Sequence, residues 1–173
     1  LYTLFLGPLP WRVLVPLVMK ETSVGLDPAL QKKAVQGYDE AFAPAPMWDL
    51  GPLPAAGAIR STASDMLSFA AANLSTEGDR LHAAMRAAHA PRVPMKDDQR
   101  VGLAWMVAKP RAMTITWHWG GTGGFRSYLG LDLEARRAVV ILTNASQMWN
   151  DFGHNLLDPE VPLAPASADG LFA

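Results

Sequence analysis

The sequence predicts an α+β fold, an antiparallel sheet with packed helices, on three observations. Helical periods with capping residues fall in the first half, short β-rich segments begin at Val101, and the links between those segments are short enough to be hairpins. The 173 residues suffice for one ordinary domain with a core, and 50% hydrophobic against 18% charged residues is the balance of a folded chain. The expected organisation is a helical and loop segment over 1–100, strands and a final helix of the same domain over 101–158, and a loose tail over 159–173.

Each element has its own local reason. Leu1 to Met19 is apolar enough to raise a signal peptide or membrane span, but three prolines and Arg12 interrupt it. No basic leader or small-residue cleavage site accompanies it, so a core helix with a bent entry is expected. The chain begins with Leu, as a piece cut from something longer would. Asp27-Pro28 reads as an N-cap with proline at the first helical position, starting a helix through Gln36 that Gly37 stops. Ala43 to Pro54 is too proline-rich to be regular and reads as a surface loop. Thr62-Ala63-Ser64-Asp65 has the form of a capping box, with Met66, Phe69, Ala70 and Leu74 following at helical spacing. A further helix is expected from Asp79 to His89, ended by Pro91.

The period then changes. Val101–Ala108, Met113–Trp119, Arg126–Leu133 and Ala138–Thr143 are expected as four strands of a meander. Ser146 to Leu157 carries Met148, Phe152 and Leu156 at i, i+4 and i+8, an amphipathic helix expected to close over one sheet face.

Composition excludes some functions. Lys plus Arg total 15 against 16 Asp plus Glu, a net charge of −1, and no basic stripe stands out to follow a phosphate backbone. Nucleic acid is not an expected partner. Cysteine is absent, which excludes disulfides and thiolate metal sites and leaves the compartment open.

The main clue to function is Trp117-His118-Trp119-Gly120-Gly121-Thr122-Gly123-Gly124-Phe125. It sets an ionisable imidazole beside backbone that a ligand can approach, between two apolar strands. Strand alternation points His118 opposite to Trp117 and Trp119. A phosphate cradle is excluded by pattern: no Lys-Ser/Thr pair opens a helix here, and Arg126 stands where a dinucleotide motif needs its third glycine. His82 and His89 are seven apart, not the i, i+4 pair of a helical metal site, and no metal or cofactor is expected. Asp97, Asp98 and Glu134 read as solvated turn charges. Tyr38 and Ser61 are mechanistic residue types with no base beside them in sequence. There is no Gly-x-Ser-x-Gly elbow, and no serine is followed three positions later by lysine.

Four segments, in order, resemble the C-terminal half of the serine β-lactamase and penicillin-binding-protein superfamily, on its class C branch with related esterases and D-peptidases. Pro16-Leu17-Val18-Met19-Lys20-Glu21-Thr22 is similar to Pro-Leu-Gly-Met-x-Asp-Thr, and Gln36-Gly37-Tyr38 to Ala-x-Gly-Tyr. Ala56-Gly57-Ala58-Ile59-Arg60-Ser61-Thr62-Ala63-Ser64-Asp65-Met66 is similar to Ala-Gly-Gly-Leu-x-Ser-Thr-Ala-x-Asp-Leu. The glycine run, with Tyr128-Leu129-Gly130 and Val139 to Asn144 after it, is the fourth.

The resemblance implies the C-terminal part of a β-lactamase/transpeptidase-like fold. It places the family's Lys-Thr-Gly or His-x-Gly motif on His118-Trp119-Gly120. It implies that His118 orients substrate and tunes the proton network, that the Gly121 N–H is half of an oxyanion hole, and that Trp119, Gly120, Thr122 and Gly123 line the substrate site. Trp119 replaces the small polar residue common there, which weighs against carboxylate recognition of a β-lactam. The alternative register Trp119-Gly120-Gly121 resembles the esterase branch. The implied substrate is a small molecule: a β-lactam, an ester or a D-amino-acid peptide.

The family's Ser-x-x-Lys nucleophile and Tyr-x-Asn motif lie upstream of the first matching segment, and this chain has neither. The expectation is a partial serine hydrolase, inactive alone because no acyl-enzyme can form. A non-catalytic protein that keeps the cleft, and an unrelated α+β domain binding a small ligand through the glycine strand, are the alternatives. The resemblance further implies a sheet completed by strands from an N-terminal half, hence self-association or instability without them. Relatives are commonly exported, with any signal upstream; the compartment of this chain stays open.

Overall fold

Along the second half, apolar residues fall on both faces of successive extended segments, and the reason is cover on both sides. The computed structural model describes residues 8–25, 28–96, 99–147 and 150–163. In chain order the elements are β1 (Ser23–Val24), α1 (Pro28–Gln31), β2 (Gly37–Tyr38), β3 (Pro44–Ala45), β4 (Ile59–Arg60), α2 (Ala63–Asn73), α3 (Arg80–His89), β5 (Val93–Pro94), β6 (Arg100–Val101), β7 (Met106–Ala108), β8 (Ile115–Thr122), β9 (Phe125–Asp132), β10 (Arg137–Thr143) and α4 (Asn150–Leu157).

The last six strands form one antiparallel sheet in the order β10-β9-β8-β7-β6-β5, a meander as expected but of six strands rather than four, with β5 lying before the first expected strand. Leu129 and Leu131 of β9 pack with Ala70 of α2 and Trp105 on one face. Tyr128 joins Ile115, Trp117 and Leu157 of α4 on the other. In β10, Ala138 and Val140 serve the first cluster and Val139 and Ile141 the second, so the strand reads as an unbroken apolar run. Helix α4 covers one face, but not with the predicted stripe: it begins at Asn150 rather than Ser146, Leu157 is the residue buried in the core, and Phe152 and Leu156 are exposed, while Met148 lies outside the described residues.

The capping box at Thr62 forms in half. The Thr62 hydroxyl accepts the Asp65 N–H at 3.2 Å, starting α2 where predicted. The returning carboxylate is diverted: buried Asp65 accepts instead from the Glu21 N–H at 2.8 Å and the Thr22 hydroxyl at 2.7 Å. The cap therefore ties the N-terminal segment to α2. Asp79 caps α3 by accepting from the Leu81 N–H at 2.9 Å.

Three expectations change. Within the described part of the N-terminal apolar segment, from Pro8 on, the chain forms a short π-helical turn over Pro10–Leu14 rather than a longer helix. Pro16 has no N–H to continue an α-helix, and Val18 leaves it at φ 57°. The helix expected through Gln36 stops at Gln31, because Gly37 and Tyr38 are claimed by β2; Asp27 is outside the described residues. The strand expected over Val101–Ala108 is broken into β6 and β7 by a turn in which Ala104 has φ 61° and the Leu103 N–H reaches the Ala88 carbonyl at 2.8 Å. The first half also holds two small sheets, β1–β4 and β2–β3, alongside its helices. Among the described residues, no helix is long and apolar enough to cross a membrane.

Candidate functional site

Strand β8 is eight residues long, but its neighbour β7 is three, ending at Met106 opposite Trp117. On its other side β8 pairs with β9 up to Thr122 opposite Phe125, across a turn of only Gly123 and Gly124. Such a closing pair exchanges both of its backbone hydrogen bonds, so Thr122, Gly120 and His118 direct their N–H and C=O groups at β9. Gly121 and Trp119 direct theirs the other way, past the end of β7. The sheet thus leaves an open edge at the glycine run, with the Gly121 N–H as a donor that no described strand occupies.

Side chains follow the same alternation. His118 lies opposite Leu129 and shares the face covered by α2, and its imidazole is exposed. Trp119 pairs with Tyr128 on the other face and is 38% exposed. The predicted separation of His118 from Trp117 and Trp119 is therefore what the register gives.

The glycines have packing reasons besides ligand access. A methyl at Gly120 would lie 2.6 Å from Ser127 Oγ, and one at Gly121 2.9 Å from Arg126 Nη1. One at Gly123 would lie 2.5 Å from Trp48 Cδ1 and 2.6 Å from the Pro46 carbonyl oxygen. Gly124 takes φ 73° in the turn and touches the Gly37 and Tyr38 backbone. The Tyr38 N–H is shared between the Gly124 carbonyl at 3.2 Å and the Asn144 carbonyl at 2.9 Å. Tyr38 thus acts through its backbone, stapling the hairpin tip to the end of β10.

Sequence reasoning missed the loop before β4. The Arg60 guanidinium donates to the Trp48 carbonyl at 3.0 Å, the Gly57 carbonyl at 2.9 Å and Met47 Sδ at 3.2 Å. This clamp sets Trp48 on Gly123, and Gly57 opposite Thr122, where a methyl would be 3.6 Å from Thr122 Cγ2. Burial lowers the Arg60 pKa from its ordinary range. The visible signal was an aromatic residue isolated in a proline-rich loop.

Other candidates separate from the strand. Ser61 is hydrogen-bonded to Thr22 at 2.7 Å; Thr22 donates onward to Asp65, so the Ser61 hydroxyl is part of the N-terminal tie. His82 bonds its own cap, Asp79, at 2.9 Å, lowering the Asp79 pKa. His89 is buried against Trp105 and meets Asn73 Oδ1 at 2.9 Å. On the face opposite His118, Trp117 and Tyr128 stack and His154 meets both edge-on; burial raises the Tyr128 pKa. Glu134 sits exposed in the β9–β10 turn, and Asp97 and Asp98 are outside the described residues. Among the described residues, no group of three or more His, Asp and Glu side chains could hold a metal ion.

A six-stranded antiparallel sheet with helices on both faces and one open, glycine-lined strand edge makes this an α+β architecture. The family model described as Beta-lactamase matches residues 11–160, and the chain belongs to that family. Solved structures agree on the fold. "A class C beta-lactamase" superposes with TM-score 0.74 at 17% identity, over 82% of this chain and 46% of that one. A beta-lactamase/D-alanine carboxypeptidase from Pseudomonas syringae gives 0.70 at 19%, over 83% and 49%. D-alanine carboxypeptidase AmpC from Burkholderia cenocepacia gives 0.72 at 22%, over 82% and 50%. The chain spans about half the length of these structures. Among curated proteins, no sequence matches it.

Proposed function

We propose that this chain supplies one wall of a serine acyl-transfer site, with His118 and the Gly121 N–H as its working groups. The observation that carries the reading is the open edge of β8, where Gly121 presents a fixed amide to solvent beside the exposed His118. In the reaction a serine Oγ attacks an acyl carbonyl, and the oxyanion that forms is stabilised by the Gly121 N–H as one of two donors. Expulsion of the leaving group gives an acyl-serine, which water then hydrolyses. His118 orients the substrate and adjusts the proton network without bonding covalently. Of the residues taken to line the substrate site, Trp119 shares the open edge with Gly121, while Gly120 and Thr122 face β9 with their backbone groups and Gly123 forms the turn under Trp48. The substrate is a small molecule of the β-lactam, ester or D-peptide class. The nucleophile comes from a Ser-x-x-Lys segment outside this sequence, so the chain alone is inactive.

The absence of that motif from the sequence favours one other reading, a non-catalytic binding protein that keeps the cleft. The chain alone is expected to show no burst with nitrocefin or a p-nitrophenyl ester; robust phosphonate-sensitive turnover would refute the assignment of the nucleophile. Joined to a segment bearing Ser-x-x-Lys, it is expected to turn over. There, His118→Ala should lower the acylation rate about 10²-fold with the fold intact. Unchanged acylation would remove His118 from the mechanism. Failure to react in any longer version carrying the motif would favour the binding protein.

A further inference from the structure

We propose that Met47 is a modification site, a thioether whose oxidation to the sulfoxide by a peroxide releases the 44–57 loop from Arg60. This property of the loop is independent of the acyl-transfer reading of the Gly121 edge.

Three features mark Met47. Its Sδ accepts the Arg60 Nε–H at 3.2 Å, sharing the guanidinium with the Gly57 carbonyl at 2.9 Å and the Trp48 carbonyl at 3.0 Å. Met113 also meets an arginine, but at 3.8 Å, and that Arg137 keeps the Asp132 carboxylate as its near partner at 2.9 Å. The second feature is access: Met47 lines a solvent-open cavity of about 380 Å³ with Gln36, Pro44, Pro46 and Phe125, wide enough for a small oxidant. The third is what the clamp holds, since the loop seats Trp48 on Gly123 in the turn that follows the Gly121 amide.

The chemistry is a two-electron oxygen transfer. The sulfur lone pair attacks one oxygen of hydrogen peroxide, an S–O bond forms and the O–O bond breaks. The departing hydroxide takes the proton of the transferred oxygen and leaves as water; sulfur is oxidised and the peroxide reduced. The sulfoxide has a partly positive sulfur, with the acceptor density moved to the new oxygen. The Arg60 Nε–H then faces a sulfur that no longer accepts, beside a larger and more polar side chain. Burial leaves the guanidinium little water to turn to, so it shifts to the new oxygen and draws away from the Trp48 and Gly57 carbonyls.

Peroxide treatment of the chain as it stands tests this, read by peptide mass spectrometry and hydrogen exchange. Met47 should oxidise alongside the exposed Met95 and ahead of the buried Met19 and Met85. The Gly51 and Leu53 amides, bonded within the loop to Asp49 and Leu50, should then exchange about ten-fold faster, the order of one lost hydrogen bond. Leu131, in the sheet core, should be unchanged. Methionine sulfoxide reductases should reverse the effect. Met47→Leu, with no acceptor to lose, should show the faster exchange from the start and no further response, whereas Met95→Leu should respond like the parent. Oxidation of Met47 no faster than that of Met19 and Met85 would overturn the proposal. So would full oxidation of Met47 with the Gly51 and Leu53 amides unaltered, or a peroxide response that persists in Met47→Leu.

Discussion

Gly37 and Gly124 lie backbone against backbone: a methyl on Gly124 would stand 2.7 Å from the Gly37 carbonyl carbon, and one on Gly37 3.0 Å from the Gly124 oxygen. The same Gly37 methyl would strike the Phe125 ring at 2.5 Å. Gly37→Ala is therefore expected to cost about 1–3 kcal/mol, the range of an overpacked site. Urea denaturation measures it, and a midpoint equal to that of the parent chain would mean that β2 and the hairpin tip are not in contact.

The buried Asp65 carboxylate holds the N-terminal segment through the Glu21 N–H and the Thr22 hydroxyl. Asp65→Ala strands both donors while leaving the cap at Thr62, which uses the backbone N–H of residue 65, in place. A loss of about 2–3 kcal/mol is expected, at the upper end for stranded buried donors. Hydrogen exchange should show the Glu21 amide losing protection first. Loss of protection spread evenly over the sheet, with Glu21 unaffected, would contradict the tie.

His89 makes stability depend on pH. Burial disfavours its imidazolium, lowering the pKa below the ordinary 6.5. The unfolded chain then takes up the proton first, so this contribution is complete above about pH 6.5 and is lost as pH falls from there through the lower folded value. Chemical denaturation at pH 7.5 and pH 5 should show the decline, and His89→Gln should flatten it while keeping a donor for Asn73 Oδ1. An unaltered pH slope in that variant would place the titration elsewhere.

The two edges of the large sheet are unequal. At one end β5 has two residues, one of them Pro94, which cannot donate to a further strand. At the other end β10 offers seven residues with no proline and one charge, Arg137, at its start. The chain alone is expected to associate with rising concentration, which sedimentation velocity would detect. Leu142→Lys, at a residue 41% exposed near the end of that edge, should weaken association. A chain monomeric at all concentrations would argue against β10 as a sticky edge.

The sequence made the second half largely legible because its information is local. Alternation in β8 and β9 and the two glycines between them define a hairpin without reference to anything distant. Caps at Thr62 and Asp79 did the same for α2 and α3. The two-residue strands of the first half were not legible, because nothing local marks Gly37 and Tyr38 as strand. Bonds to residues such as Gly124 and Asn144, far along the chain, make them so. The same holds at the site. His118 and Gly121 stood out by residue type, whereas Trp48 takes its place from a notch at Gly123 and a clamp from Arg60. Glycines that read as room for a ligand also prove to be room for Ser127, Arg126, Trp48 and Gly37.

The hairpin tip is consequently a shared joint. Within four residues it presents the Gly121 amide, seats Trp48 on Gly123 and fastens Gly124 to Gly37 and Tyr38. A substitution in the 44–57 loop that tilts Trp48 pushes on the strand that holds the amide, and a change at Gly37 does so from the other side. A change on either side of the hairpin tip is expected to be felt on the other, since both bear on one turn of chain.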